Sequence, residues 1–190
     1  MVQKYNKDTE QKILAVGNEL FMEQGYYATS TRQIAKAAGI TQPNLYHYFK
    51  DKETLYVAVI EKLLTEVGED LSGILQQHLD FQQSLEAMAN YLMTTHYFDL
   101  NRMLQDLAKY ITPVTRYQIF SLWKENYRQP FEDLFQRYGH EMRSQISPEL
   151  AARHFFFVLS PYITQKEQAI DEGLSSQTIV DLFLHGIIES

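Results

Sequence analysis

The chain has 190 residues, 45% hydrophobic and 22% charged, a balance that suits a packed globular protein and excludes a disordered one. It has no cysteine, which removes disulfides, thiolate metal sites and cysteine nucleophiles, and no apolar run reaches the roughly 18 residues a membrane span needs. Net charge is −7, but residues 1–60 carry seven Lys/Arg against six Asp/Glu and the other 130 carry ten against eighteen, so a near-neutral first third is set apart from an acidic remainder. The opening "MVQKYNKDTEQK" has no apolar core of a signal peptide, and a cytoplasmic protein is expected.

Helical periodicity governs the whole chain. Ile13, Val16, Leu20 and Phe21 form an amphipathic stripe that Gly25 closes. Thr31 is read as the N-cap of a short second helix with Ile34, Ala35 and Ala38 on one face and Gly39 as its stop. Thr41 caps a third, where Pro43 is tolerated because the first-turn N–H groups have no intrahelical partner. From Asp51 a long helix follows, its stripe running from Leu55 to Leu75 and interrupted by Gly68 and Gly73. Further helices are predicted at about 82–97, 100–110, 113–143 with a kink at Pro130, 148–168 with a bend or break at Pro161, and 176–189. Ser147-Pro148-Glu149 is a start signal: a cap, a proline and an acid in the first turn. The fold class is all-α.

Two short helices about a tight glycine turn form a helix-turn-helix candidate at about 30–49, whose second helix can enter the DNA major groove. The inward positions are apolar: Ile34, Ala35, Ala38, Ile40, Leu45 and Phe49. That leaves Arg32, Gln42, Pro43, Asn44, Tyr46, His47 and Tyr48 outside or at the edge. Arg pairs bidentately with guanine, Gln and Asn with adenine, and Pro can touch a thymine methyl. The hydroxyls of Thr31 and Tyr46, with Lys52, suit phosphate oxygens. Tyr48 also suits packing against the first helix.

The stretch "TSTRQIAKAAGITQPNLYHYFKDKETL", residues 29–55, resembles the TetR family of bacterial transcriptional regulators. The family pattern of Thr, Ile-Ala, Ala-Gly-(Val/Ile)-(Ser/Thr), Leu-Tyr-x-(His/Tyr)-Phe and Lys-x-x-Leu stands at the right spacing, and the likeness covers about the first 60 residues. The repressor that gives the family its name is especially similar at the reading head, with Thr-Arg opening its second helix and Gln-Pro-Thr-Leu-Tyr in its third. That resemblance implies that Arg32 reads a guanine, Gln42 an adenine and Pro43 a thymine methyl, while Thr31, Tyr46 and Lys52 hold phosphates. Asn44 and His47 depart from its Thr and Trp, which implies a related but different operator.

The resemblance also implies a helix-turn-helix DNA-binding domain over residues 1–52 and a larger helical domain over 53–190 that binds a small-molecule effector and pairs two subunits. The apolar "RHFFFVLSPYI" and the stripe Ile179, Leu182, Phe183, Gly186 and Ile187 support a homodimer through the last two helices, about 148–189. Effector candidates are Tyr91, His96, Met103, Leu107, Tyr110, Trp123 and Tyr127, from a segment rich in aromatics and Met. Neither a lipophilic cation nor an acyl chain is singled out. No cofactor or metal site is expected, since the six His show no His-x-x-x-His spacing. Catalysis is not expected either, for want of a phosphate loop, nucleophile elbow or HExxH.

The function expected is a repressor released from a near-palindromic operator by a small lipophilic molecule, the shift passing along the long helix with Gly68 easing it. Two alternatives stay open: a helical protein-interaction module without DNA binding, and an activator of the same family.

Overall fold

The computed structural model describes residues 6–95, 100–164 and 174–185. Its helices are α1 (Lys7–Ala28), α2 (Thr31–Ala37), α3 (Gln42–Tyr48), α4 (Lys52–Leu75), α5 (Phe81–Thr95), α6 (Leu100–Tyr110), α7 (Pro113–Trp123), α8 (Gln129–Arg137), α9 (Pro148–Thr164) and α10 (Ser176–His185), with a π-helical segment Lys124–Arg128 and a 3₁₀ turn Gly139–Glu141. Among the described residues there is no strand, and no helix is long and apolar enough to cross a membrane. The chain packs as two compact units: residues 1–64 with 98–121, and 65–97 with 122–190. The first contains all of the expected DNA-binding segment 1–52.

In the first unit α1 presents Ile13, Leu14 and Phe21 inward, and Gly17 sits 3.1 Å, at its missing Cβ, from Val59 of α4. Phe21 and Tyr26 pack edge-on against the buried Tyr56, each with centroids 5.0 Å away. The helical path breaks at Gly25, whose φ of 82° is where a side chain would be strained. The break strands backbone groups that are then satisfied individually. Thr29 Oγ1 donates to Gly25 O at 2.8 Å and Leu20 O at 3.0 Å, and Tyr26 N donates to the buried Asp106 of α6 at 2.7 Å.

The N-cap of α2 is Ser30, not Thr31. The sequence Ser-Thr-Arg-Gln is a capping box: Gln33 N donates to Ser30 Oγ at 3.2 Å, and Ser30 N donates back to Gln33 Oε1 at 2.8 Å. Thr31 thereby becomes the first helical residue with its side chain turned inward, 7% exposed. The α2–α3 turn takes its shape from Gly39, at φ 72°. Thr41 caps α3 as expected, accepting from Asn44 N at 3.3 Å. Asp51 starts α4, accepting from Thr54 N at 2.7 Å, and that bond holds its carboxyl below the ordinary range.

In the second unit Leu85, Met88, Ala89 and Leu92 of α5 join Phe131, Leu134 and Phe135 of α8, Phe155 and Leu159 of α9, and Ile179 and Val180 of α10 in one core. Its centre is aromatic, with Phe155 edge-on to Phe183 at 4.9 Å and Phe131 edge-on to Phe156 at 4.9 Å. The helix expected over 113–143 runs as consecutive helical segments to Arg137, with a π turn inserted ahead of Pro130 in which Gln129 N bonds to Lys124 O. A proline ring clashes with the carbonyl four residues earlier, and the wider turn ahead of Pro130 relieves this. The same segment brings Asn126 against Gly68, where an added Cβ would stand 2.7 Å from Asn126 Oδ1 and 3.1 Å from its Cα. Gly68 is thus a close-approach site in α4. The helix through Pro161 does not break: α9 continues to Thr164. Residues 165–168 and 186–189 of the expected last helices lie outside the described residues.

Candidate nucleic-acid interface

The reading head is built on a small apolar floor. Ile34, Ala35, Ala38, Leu45 and Phe49 are each at most 5% exposed, and Ile40 is half-buried at the edge of the turn. Two small alanines let α2 and α3 approach closely, and the opposite sides of both helices face outward.

On that outer side Arg32, Pro43, Tyr46 and His47 are exposed, and Gln42 and Asn44 are half-buried. Lys36 and Lys50, which the pattern of base-reading residues does not include, are exposed nearby in the chain and add positive charge. Their signal was there as a bare cation count. Three of the remaining candidates are turned toward the protein. Tyr48 is half-buried and accepts from Asn6 N, the cap of α1, at 3.3 Å. Lys52 lies 4.2 Å over the Tyr26 ring with its ammonium 3.4 Å from Tyr27 O, and burial lowers its pKa against the opposing pull of Asp106. Thr31 is buried, with Oγ1 accepting from Gln42 Nε2 at 3.0 Å and lying 3.1 Å from Tyr46 Oη.

Behind the head, Glu53 at the start of α4 accepts from Thr112 N at 3.3 Å and Thr112 Oγ1 at 2.7 Å. Partial burial pushes its carboxyl up, but the hydrogen bonds from Thr112 and Thr115 outweigh that and hold it below 4.5. These residues, with Tyr26, Asp51 and Lys52, border a polar groove of about 520 Å³ in the first unit. Asp106 and Glu53 join segments 80 and 59 residues apart, and no local signal in the sequence marks either pairing.

The effector candidates divide between the units. Met103 and Leu107 are buried in the first, where Tyr110 stacks on Tyr27 at 4.8 Å. Tyr91, Trp123 and Tyr127 belong to the second. Trp123 stacks on Tyr127 at 6.4 Å with Phe156 tilted against both, and Tyr91 Oη donates to Asp70 at 2.7 Å. Burial and Asp70 together raise the Tyr91 phenol, and burial raises that of Tyr127. His96 lies outside the described residues. A separate cavity of about 610 Å³ in the second unit is bordered by Phe81, Phe135, Ile146 and Phe183 and by none of these candidates. Among the described residues no group of His, Asp or Glu could hold a metal.

A capped three-helix head with a polar outer face on its second and third helices, in an all-helical chain, defines the class of helix-turn-helix regulators. Residues 13–59 match the family model described as bacterial regulatory proteins, tetR family, and this segment is a domain of that family. It is 29% identical over 150 residues to the HTH-type transcriptional repressor KstR2 of Rhodococcus jostii, spanning 75% of this chain and 72% of that one. It is 43% identical over 63 residues to the regulator AcrR of Shigella flexneri, covering 33% of this chain and 29% of that protein. The fold is also that of a transcriptional regulator FadR from Bacillus subtilis, solved in complex with stearoyl-CoA: TM-score 0.76 at 19% identity, over 94% of this chain and 99% of that one. The matched domain and these relatives are those of transcriptional regulators.

Proposed function

We propose that the protein is a dimeric cytoplasmic repressor that binds a near-palindromic operator through α2 and α3 and leaves it when a small lipophilic effector binds. The observation that carries this is the outer face of the head: Arg32, Pro43, Tyr46 and His47 exposed, with Gln42 and Asn44 beside them, over a fully apolar floor. Arg32 pairs with a guanine, Gln42 with an adenine and Pro43 with a thymine methyl, while Tyr46 holds a phosphate. Lys52, drawn toward Tyr26, supplies charge at the margin. In this reading residues 1–52 carry the operator contacts and 53–190 the effector and dimer functions.

Repression follows the named role of the Rhodococcus relative. A lipophilic effector is supported by the aromatic group Tyr91, Trp123 and Tyr127, and by the acyl-CoA held in the Bacillus subtilis structure. Met103, Leu107 and Tyr110 are assigned to packing. Pairing through α9 and α10 is supported by the exposed Leu150, Phe157 and Leu182 on those helices, with Phe157 72% exposed.

The test is operator selection from random duplex DNA followed by Arg32→Ala and Gln42→Ala. Each is expected to weaken operator binding by roughly 5- to 150-fold with the dimer intact by sedimentation. Affinity should also fall steeply between about 50 and 200 mM salt. Binding that neither substitution changes would sink the assignment and favour a protein-interaction role for the head.

A further inference from the structure

We infer that Thr31 and Tyr46 are positioning residues that fix which way Gln42 presents its amide, and so which base it accepts. This rests on the DNA-reading role proposed above. The three side chains form a closed triangle. Gln42 Nε2 lies 3.0 Å from Thr31 Oγ1 and 3.5 Å from Tyr46 Oη, and the two hydroxyls are 3.1 Å apart. Thr31 is 7% exposed, so its hydroxyl is spent inside the triangle and is not offered to a phosphate. Tyr46, 46% exposed, is the corner that reaches the outside.

Two proton arrangements satisfy the triangle. In the first, Gln42 Nε2–H donates to Thr31, Thr31 donates to Tyr46, and the Tyr46 proton is free for an external acceptor. In the second, Tyr46 donates to Thr31, and Thr31 donates to a flipped amide through Oε1. A phosphate oxygen only accepts, so a phosphate on Tyr46 selects the first arrangement. Gln42 then presents Oε1 and its second N–H, an acceptor–donor pair that matches N6 and N7 of adenine. The flipped amide would offer two N–H donors, which suit O6 and N7 of guanine. Docking on the backbone and choosing the base are thus one linked event, with Thr31 as the buried relay.

The experiment uses the full chain and the operator selected by the wild-type protein. The base read by Gln42 is the position whose preference disappears in Gln42→Ala. Affinity is then measured on operators with A·T or G·C at that position. The wild type and Thr31→Ser are expected to prefer adenine by roughly tenfold or more. Thr31→Val and Tyr46→Phe should both bring that ratio close to one. Only Tyr46→Phe should reduce the salt slope, by about one phosphate contact.

An unchanged ratio in Thr31→Val, a uniform loss on every operator with a reduced salt slope in that variant, or the absence of any position whose preference Gln42→Ala abolishes each overturns the inference. Should Thr31→Val not fold, Tyr46→Phe at its exposed site reads the same ratio. A wild-type protein that enriches no sequence at all fails the DNA-reading role itself, a result distinct from the others.

Discussion

The reading head and the second unit both use local caps and packed rings, but the caps dominate the short helices of the head and the rings dominate the core of the second unit. The head is secured by short-range polar bonds: Ser30 with Gln33, Thr41 with Asn44, and Asp51 with Thr54, each three residues apart. The second unit is secured by interlocked rings contributed from distant segments, such as Phe131, Phe155 and Phe183. Local capping fixes where each short helix begins, so the face it shows is set by a few residues. Ring packing fixes a volume, and many sequences fill the same volume. The outer face of α3 depends on the first kind of control, because rotating that helix by one residue would take Gln42 off it.

This contrast can be broken or sharpened by substitution. The largest effect is expected from Phe131→Ala, fully buried in the second unit, which should cost about 3–5 kcal/mol in denaturant unfolding. Gly68→Ala should cost about 1–3 kcal/mol, because its Cβ meets Asn126 including the backbone. If instead it leaves stability unchanged, the π segment yields easily and the ring-packed unit is softer than described. Ser30→Ala should cost about 1 kcal/mol by thermal unfolding, and Ser30→Thr should recover most of it. A loss rivalling that of Phe131→Ala would end the distinction between the two regions.

The smallest effect is with pH. Asp51 and Glu53 both have lowered carboxyl pKa values in the folded head, so they bind protons less readily there than in the unfolded chain. Their stabilisation is fully present above the ordinary values of 3.8 and 4.5 and is lost as pH falls through the lowered ones. Asp51→Asn with Glu53→Gln should flatten the acid limb of the stability curve.

The same contrast explains what the sequence revealed. Helix signals, caps and the Leu45–Phe49 anchor are local, and α2, α3 and α4 begin within a residue of their expected positions. The family pattern lies in the same stretch, so fold class and regulator class were legible there. Thr31 was misread as a cap because its neighbour Ser30 has the better-spaced glutamine, and as the first helical residue Thr31 turns its side chain inward. The effector candidates were chosen for being aromatic or apolar, which does not say what a ring packs against. The structure divides them between two units and stacks Tyr110 on Tyr27. Of the bend or break expected at Pro161, the break does not occur, since α9 runs through it to Thr164.

Asp106 bears on the order in which the protein can be made. The N–H of Tyr26, released where α1 breaks at Gly25, is held by a carboxylate that follows it by 80 residues. A nascent chain that has delivered α1, α2 and α3 therefore has every local cap in place while the end of α1 still lacks this partner. This bond of the head waits for α6 to leave the ribosome. A fragment stopping near residue 60 should form its short helices yet open at the end of α1, and adding residues 61–111 should close it.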